Sequence, residues 1–216
     1  MKVTPAILPK DFNEVLEKLE TLEYLVPRVQ IDLCDGEFGL TKTWLPKGIE
    51  ELPSDYEYEF DVMLNDWKPY VMGAIDIGAS RIVAHVDNFS EADATELIEV
   101  LEHTGTALGV CVSNNIPVED HINFIKFFEE RYHNVFIQLM GIRNIGAQGQ
   151  PFDESVISRI EEIKEQCPNL SIQVDGAIND ITAEKVKEAG ADTVISGSYI
   201  FNRKDIFQAI ELLESI

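Results

Sequence analysis

Short apolar runs alternate with longer amphipathic segments along the whole chain. The runs are rich in β-branched residues and have the length of strands. We predict strands at 3–8, 28–33, 58–64, 81–86, 107–112, 135–140, 171–174 and 193–196. Several of the later runs are apolar almost throughout, which is typical of strands that are buried on both faces.

Between the predicted strands, apolar residues recur at spacings of three and four, as on one face of a helix. The first such segment carries Phe12, Val15, Leu16, Leu19 and Leu22. Further helices are predicted around 97–101, 122–128, 156–163, 182–185 and 205–215. Strands that alternate with helices indicate parallel β/α units, because a parallel crossover needs a connection of helix length.

Eight β/α units in 216 residues predict an α/β fold, a compact (β/α)8 barrel with a parallel eight-stranded sheet. An open doubly wound sheet is the alternative. No Ser/Gly tract, low-complexity segment or long block of charge divides the chain, so we expect a single domain spanning 1–216. The acidic stretch 50–59 is expected to be a surface loop that leads into the third strand.

The charge balance excludes several classes of partner. The chain has 17 Lys and Arg against 39 Asp and Glu, a formal net charge of −22. Such a chain lacks the basic surface that binds nucleic acid, and anionic membranes would repel it. Because 45% of the residues are hydrophobic, the chain has enough apolar side chains for a core and is not a disordered protein.

The cysteines and the apolar segments bear on the compartment. Cys34, Cys111 and Cys167 are an odd number at wide spacing, so they form neither a disulfide framework nor a CxxC metal motif. The N-terminal segment lacks the apolar run of a signal peptide, and no stretch approaches the length of a membrane span. We therefore expect a cytoplasmic protein.

Candidate chemistry lies where strands end, because active sites of (β/α)8 barrels form at the carboxyl ends of the strands. Asp32 and Asp175 end the second and seventh strands, within otherwise apolar runs. Each carboxylate either bonds nearby backbone N–H groups or belongs to an acid/base pair across the barrel mouth. Gly176 and Gly197 follow the last two strands, where exposed backbone N–H groups bind phosphate; the alternative is that they only permit tight turns.

Seven short motifs occur in order along the chain: AILPKDF at 6–12, QIDLCDGEF at 30–38, DVMLN at 61–65, HVD at 85–87, NIGAQGQPF at 144–152, VDGAIN at 174–179 and SGSYIF at 196–201. The ordered set resembles the ribulose-phosphate 3-epimerase family. The corresponding family motifs are S-I-L-S-A-D-F, H-x-D-x-M-D-G-x-F, D-V-H-L-M, H-V-E, N-P-G-F-G-G-Q-x-F, V-D-G-G-I-N and A-G-S-x-I-F. The resemblance covers nearly the whole chain and implies a TIM barrel.

The resemblance implies an isomerase that inverts C3 of a D-pentulose 5-phosphate through an enediolate, with Asp32 and Asp175 as the acid and base. It implies a small sugar phosphate as the partner, with no nucleic acid and no membrane. It also implies association into a homo-oligomer, although no residues here specify a dimer or a hexamer.

The same resemblance assigns the phosphate and the loop that covers the substrate. Backbone N–H groups would hold the phosphate at Gly176, Ala177, Gly197 and Ser198. The loop after the sixth strand, with Gly146 and Gly149, would close over the substrate. In this family the position of Ala177 is a second glycine.

The chain departs from the family at the metal site, which family members build from two His and the two Asp residues. Gln30 and Met63 stand at the two histidine positions. A neutral amide is a weak ligand, and a thioether prefers soft metals. We therefore expect no tightly bound cofactor and, at most, a weakly held Mg²⁺ or Mn²⁺ on Asp32 and Asp175.

Without a metal, the charge of the enediolate needs other donors. The candidates are Gln30, Asn65, His85 and Arg143. Arg143 has an alternative as an ordinary surface residue, and His85 has one as a hydrogen-bonded scaffold residue.

Three functions remain open at this point. The first is a sugar-phosphate epimerase with altered metal use or an altered substrate. The second is a related phosphoketose aldolase or lyase-type barrel enzyme, and the third is a non-catalytic sugar-phosphate binder that lost the metal site. Retention of both Asp32 and Asp175 argues against the binder, because a binder does not need two uncompensated carboxylates near a phosphosugar.

Overall fold

Eight parallel strands pair in chain order into a closed barrel. The structure is a computed structural model that describes residues 1–23, 25–147 and 149–216. The last strand pairs with the first, where Val3 lies beside Val194. This closure confirms the predicted (β/α)8 barrel and excludes the open doubly wound sheet.

The strands lie within two residues of their predicted positions. They are β1 Lys2–Ile7, β2 Arg28–Cys34, β3 Glu57–Met63, β4 Ala79–His85, β5 Ala107–Cys111, β6 Val135–Met140, β7 Ile172–Asp175 and β8 Thr193–Ser196. The helices are α1 Phe12–Leu22, α2 Lys68–Asp76, α3 Glu91–Leu101, α4 Val118–Glu129, α5 Ser155–Gln166, α6 Asp180–Ala189, α7 Ser198–Phe201 and α8 Ile206–Ser215. No helix in the described part of the chain has the length and apolar character that crossing a membrane requires.

One connection differs from a regular β/α alternation. The link between β2 and β3 contains no helix, and its residues 35–56 form an irregular segment that packs on α2. A Cβ added at Gly73 of α2 would lie 2.9 Å from the Pro46 carbonyl oxygen, so this glycine permits the close approach. The hydrophobic pattern did not single out α2, since the buried residues of this short helix include Gly73 and Ala74, which contribute little apolar signal.

The prediction that 50–59 is a surface loop is wrong at its end. The strand begins at Glu57, and Glu59 is fully buried inside the barrel. Side chains alternate between the two faces of a strand, so Glu59, Asp61 and Met63 share the inner face of β3. Arg81 of β4 forms an ion pair with Glu59, which makes a buried charge tolerable at this position.

An aromatic side chain inside the barrel depends on a glycine of the neighbouring strand. The Arg81 guanidinium lies over the ring of Phe136, with Arg81 Cζ 3.6 Å from the ring centroid. A Cβ added at Gly109 would lie 2.5 Å from Phe136 Cζ and 2.9 Å from Val83 Cγ2. The ring therefore uses the space that a side chain at Gly109 would fill.

We predict that Gly109→Ala lowers the free energy of unfolding by about 1–3 kcal/mol, because an overpacked core forces side chains out of their preferred rotamers. Urea denaturation measures the change. Adding Phe136→Leu to this variant provides the control, because the smaller side chain makes room for the methyl group and should restore part of the loss. Unchanged stability of Gly109→Ala would contradict this packing account.

Candidate active site

A cavity of about 460 Å³ opens at the carboxyl ends of the strands. On the barrel side, it is lined by Asp32 of β2, Met63 of β3 and Asp175 of β7. The loops after β6, β7 and β8 form most of the remaining wall, and Ala6 of β1 and Ile195 of β8 also contribute to it. Its volume falls in the range of small-molecule sites, about 300–1,000 Å³.

A single amide joins the two carboxylates of this cavity. Gln30 Nε2 donates one hydrogen bond to Asp32 Oδ1 at 2.8 Å and another to Asp175 Oδ2 at 3.0 Å. Gln30 is fully buried, two residues before Asp32 on the same face of β2, and it does not line the cavity. The side chain therefore acts on the carboxylates from inside the barrel.

A third carboxylate lies beside this pair. Ligand atoms of Asp32, Asp61 and Asp175 lie within 4.8 Å of one another. Asp61 is fully buried, and both of its oxygens have partners: His85 Nε2 at 2.8 Å and Gln138 Nε2 at 2.9 Å. The sequence analysis includes Asp61 in a motif but assigns it no role. Because alternate residues of a strand share a face, the spacing of two between Glu59 and Asp61 was the signal that both side chains point to the same side.

The polar contacts continue toward the other end of the barrel. Gln173 Nε2 donates to Gln138 Oε1 at 2.6 Å and to Glu59 Oε1 at 2.9 Å. Arg81 Nη2 donates to Gln173 Oε1 at 2.9 Å and its Nε pairs with Glu59. These contacts connect β3, β4, β6 and β7 across the barrel interior, so the site rests on a buried network and not on an apolar floor.

The surroundings of the two cavity carboxylates favour their protonated forms. Burial raises the pKa of Asp32 well above its usual value, and the nearby charges of Asp175 and Asp61 raise it further. Burial, followed by the charge of Asp61, raises the pKa of Asp175 to about 7. Two such carboxyls with one or more protons between them at neutral pH can both accept and donate a proton.

A histidine lies behind the pair, on the far side of Asp61. Burial alone would lower the pKa of His85, but Cys111 and Asp61 together raise it well above its usual value. Its Nε2 lies 2.8 Å from Asp61 Oδ1, so His85 is hydrogen-bonded to the carboxylate cluster. Its contact with Asp61 is the role of a scaffold residue, one of the two alternatives that the sequence left open.

The donor set does not fit the metal that the resemblance implies. Gln30 turns its N–H groups, and not its oxygen, toward both carboxylates, while its buried Oε1 has no partner among the described residues. The thioether of Met63 lies 3.9 Å from Cys34 Sγ, in a buried sulfur contact. Both oxygens of Asp61 are already hydrogen-bonded. The clustered ligand residues are the three aspartates with no histidine among them, and the only imidazole nearby, His85, uses its Nε2 on Asp61 among the described residues. Zinc or iron would therefore lack its preferred imidazole ligands and a free third carboxylate.

The phosphate residues assigned by resemblance come together in the wall of the same cavity. Gly176, Ala177, Gly197 and Ser198 all line it. Gly176 and Ala177 have φ of +104° and +55°, so Ala177 keeps the left-handed backbone that a glycine would adopt more easily. α7 begins at Ser198, directly after Gly197.

The loop after β6 reaches the cavity at Gly146 and Gly149, both of which line it. Two backbone hydrogen bonds fasten it to the β2–β3 link, from Leu40 N to the Ile145 oxygen at 3.1 Å and from Thr41 N to the Gly146 oxygen at 3.0 Å. Gln148, part of the quoted loop motif, lies outside the described residues.

Two further residues predicted to stabilise an enediolate are not brought to the cavity. The Arg143 side chain is 74% exposed and forms an ion pair with Asp153 at 3.0 Å. Asn65 is exposed, and its backbone N–H donates to Asp35 Oδ2 at 2.9 Å. Neither residue lines the cavity, so the geometry gives no support to these two roles.

Comparison with known proteins assigns the family. A model described as the ribulose-phosphate 3-epimerase family matches residues 2–201. The chain belongs to this family. It is 27% identical to the ribulose-phosphate 3-epimerase of Helicobacter pylori strain J99, over 100% of this chain and 98% of that protein. It is also 27% identical to the ribulose-phosphate 3-epimerase of Bacillus subtilis strain 168, over 97% of this chain and 96% of that protein.

Solved structures with lower identity share the fold. The 3-hexulose-6-phosphate synthase of Salmonella typhimurium superposes with a TM-score of 0.72 at 16% identity, over 100% of this chain and 97% of that chain. The 3-keto-L-gulonate-6-phosphate decarboxylase of Vibrio cholerae superposes with a TM-score of 0.68 at 10% identity, over 99% of this chain and 95% of that chain. At this identity the likeness shows the barrel alone.

We predict that Asp175→Asn is more stable than the parent protein at pH 8, by about 2–4 kcal/mol, and that the difference disappears near pH 4. Because the folded-state pKa of Asp175 is raised from 3.8 to about 7, the folded protein loses stability as the pH rises between these values. Asparagine does not ionise, yet its oxygen still accepts from Gln30. Urea denaturation at several pH values measures the effect, with Asp55→Asn as an exposed control. A difference in unfolding free energy between Asp175→Asn and the parent that is equal at pH 4 and pH 8 would contradict the raised pKa of Asp175.

Proposed function

We propose that the protein is a ketose-phosphate epimerase that inverts the carbon next to the carbonyl through an enediolate. The observation that carries the proposal is the pair of carboxyl groups, Asp32 and Asp175, joined by one amide at the wall of a cavity. Gly176, Ala177, Gly197 and Ser198, which would form a cup of backbone N–H groups for the phosphate, line the same cavity. Membership of the ribulose-phosphate 3-epimerase family supports the same reaction. Ribulose 5-phosphate is accordingly the first substrate to test.

The acid/base step uses the two carboxyls in opposite roles. One of them, ionised, takes the proton from C3 while the other, protonated, returns a proton to the opposite face. Since β2 and β7 lie on different sides of the barrel, Asp32 and Asp175 approach a bound ketose from two directions. In the reverse reaction the two residues exchange roles.

The clustered charges favour removal of the proton. When the base accepts the C3 proton, negative charge moves from its carboxylate to the substrate oxygens, so the net charge of the centre is unchanged. The repulsion between that residue and the other carboxylates, including Asp61, falls at the same time. The arrangement therefore makes the base stronger than an isolated aspartate in water.

The phosphate end supplies binding without surplus Lys or Arg. We propose that backbone N–H groups at Gly176, Ala177, Gly197 and Ser198 hold the phosphate, while Gly146 and Gly149 form the loop over the sugar. We propose no tightly bound cofactor, with a weakly held Mg²⁺ or Mn²⁺ as the upper limit. All three cysteines are free and buried, in keeping with a reducing compartment.

We predict that ribulose 5-phosphate in D₂O acquires deuterium at C3 with the parent protein and that Asp175→Asn lowers this exchange by at least about 10³-fold, as expected for loss of a general base. NMR of the sugar measures the exchange, and calorimetry measures binding of the sugar phosphate, which the variant should retain. Unchanged exchange in Asp175→Asn would refute its acid/base role. Binding without exchange in the parent protein would instead favour a binder or an enzyme with another substrate.

We predict that Ser198→Asp raises the KM for the phosphosugar by at least about 10-fold, because a carboxylate beside the N–H cup repels the phosphate. An acidic residue in the first turn of a helix does not harm folding, so the variant should keep its thermal stability. Ser198→Asn, of similar size without the charge, is the matched control and should keep a KM near that of the parent. Equal KM values for the two variants would place the phosphate elsewhere.

A further inference from the structure

Gln30 stands where the family resemblance places a metal-ligand imidazole, but it makes contacts of a different kind. The two hydrogens of one amide nitrogen go to two separate carboxylates, Asp32 at 2.8 Å and Asp175 at 3.0 Å. A bridging contact of this sort links two groups that would otherwise repel each other. It requires a primary amide, because a single N–H would serve only one carboxylate.

The geometry of the strand aims this amide. Gln30 and Asp32 are two residues apart on β2, so both side chains point into the barrel. Asp175 reaches the same nitrogen from β7. Gln30 is fully buried and absent from the cavity wall, so it does not contact a substrate in the cavity and acts only through the two carboxylates.

The orientation of the Gln30 amide disfavours the binding of a cation. To offer oxygen to a metal, Gln30 would have to rotate its amide, which would break both hydrogen bonds and direct Oε1 at two carboxylates. The other replaced ligand, Met63, offers a thioether that hard cations such as Mg²⁺ and Mn²⁺ bind poorly. The Asp61 oxygens are occupied by His85 and Gln138.

We propose that the Gln30 amide takes the place of the divalent metal at this centre. It is a positioning residue that holds Asp32 and Asp175 at a fixed separation for proton transfer, and the reaction proceeds without a resident divalent ion. The positioning role rests on the proposed epimerase function, whereas the exclusion of metal does not.

The first experiment measures metal and needs no substrate. The parent protein, Gln30→Glu and the double variant Gln30→His/Met63→His are each incubated with Mn²⁺ or Co²⁺, desalted and analysed for bound metal. We expect almost none on the parent. We expect close to one ion per chain on the double variant, which restores two imidazoles beside two carboxylates, and tighter Mn²⁺ binding by Gln30→Glu, which replaces the donors with a third free carboxylate.

The second experiment separates positioning from folding. Gln30→Met keeps the length of the side chain and removes both donors. We expect kcat for C3 exchange to fall by at least about 100-fold while the KM for ribulose 5-phosphate changes by less than about 3-fold, because the phosphate cup is untouched. Gln208→Met, on the exposed face of α8, is the matched control and should leave both constants unchanged. Thermal denaturation of each variant shows that it is folded.

The outcomes distinguish the two proposals. A stoichiometric metal on the parent protein, or exchange by the parent that chelators abolish, overturns the replacement of metal by Gln30. Full kcat in Gln30→Met overturns the positioning role. If the parent exchanges no C3 proton on ribulose 5-phosphate and its metal content is nil, the epimerase proposal fails on that substrate while the exclusion of metal stands. Metal rescue provides the final check, since exchange by Gln30→His/Met63→His should depend on added metal and exchange by the parent should not.

Discussion

The crowding of three carboxyl groups at one point of the barrel is the constraint on which the site depends. Asp32, Asp61 and Asp175 bring oxygens within 4.8 Å of one another, with Asp61 fully buried and the other two at the wall of the cavity. Such a cluster is costly unless donors or protons compensate it. Here the compensation comes from the Gln30 amide, from the raised pKa values of Asp32 and Asp175, and from His85 behind Asp61.

The rest of the barrel interior is arranged around this cluster. Below the carboxylates, the space that an apolar layer would fill in many barrels holds Gln138, Gln173 and the Glu59–Arg81 ion pair. Gln138 donates to Asp61 and accepts from Gln173, and Gln173 also donates to Glu59 and accepts from Arg81. Every strand from β3 to β7 except β5 thus contributes a polar side chain. At β5 the interior is instead narrow and apolar, with Gly109 admitting the Phe136 ring. A network so fully paired holds its members in place, which is what proton transfer between fixed groups requires.

The sequence was informative where one physical effect dominates a position. The eight strands are short, largely apolar runs, several of them apolar almost throughout, and their number and spacing lead to the barrel. Asp32 and Asp175 are conspicuous because each interrupts such a run at its end. Asp61 was placed in the third strand but given no role. Glu59 was assigned to a surface loop, because an acidic stretch before a strand looks the same whether its charges face water or the barrel interior. Only the partner on another strand, Arg81 or His85, decides between the two. Arg143 pairs with Asp153, ten residues away in a loop whose path the hydrophobic pattern does not determine.

The overall charge of −22 and the proposed anionic substrate are compatible, because the two act over different distances and through different groups. Surface carboxylates are screened by salt within about 10 Å, whereas the phosphate site that we propose uses backbone N–H groups at contact distance. At the reaction centre, too, a neutral group stands where a charged one is expected. The family resemblance implies a divalent cation beside the two aspartates, whereas this chain places a neutral amide, Gln30, between them. Burial and the neighbouring carboxylates raise the pKa values of Asp32 and Asp175, and the hydrogen bonds from Gln30 offset only part of this rise.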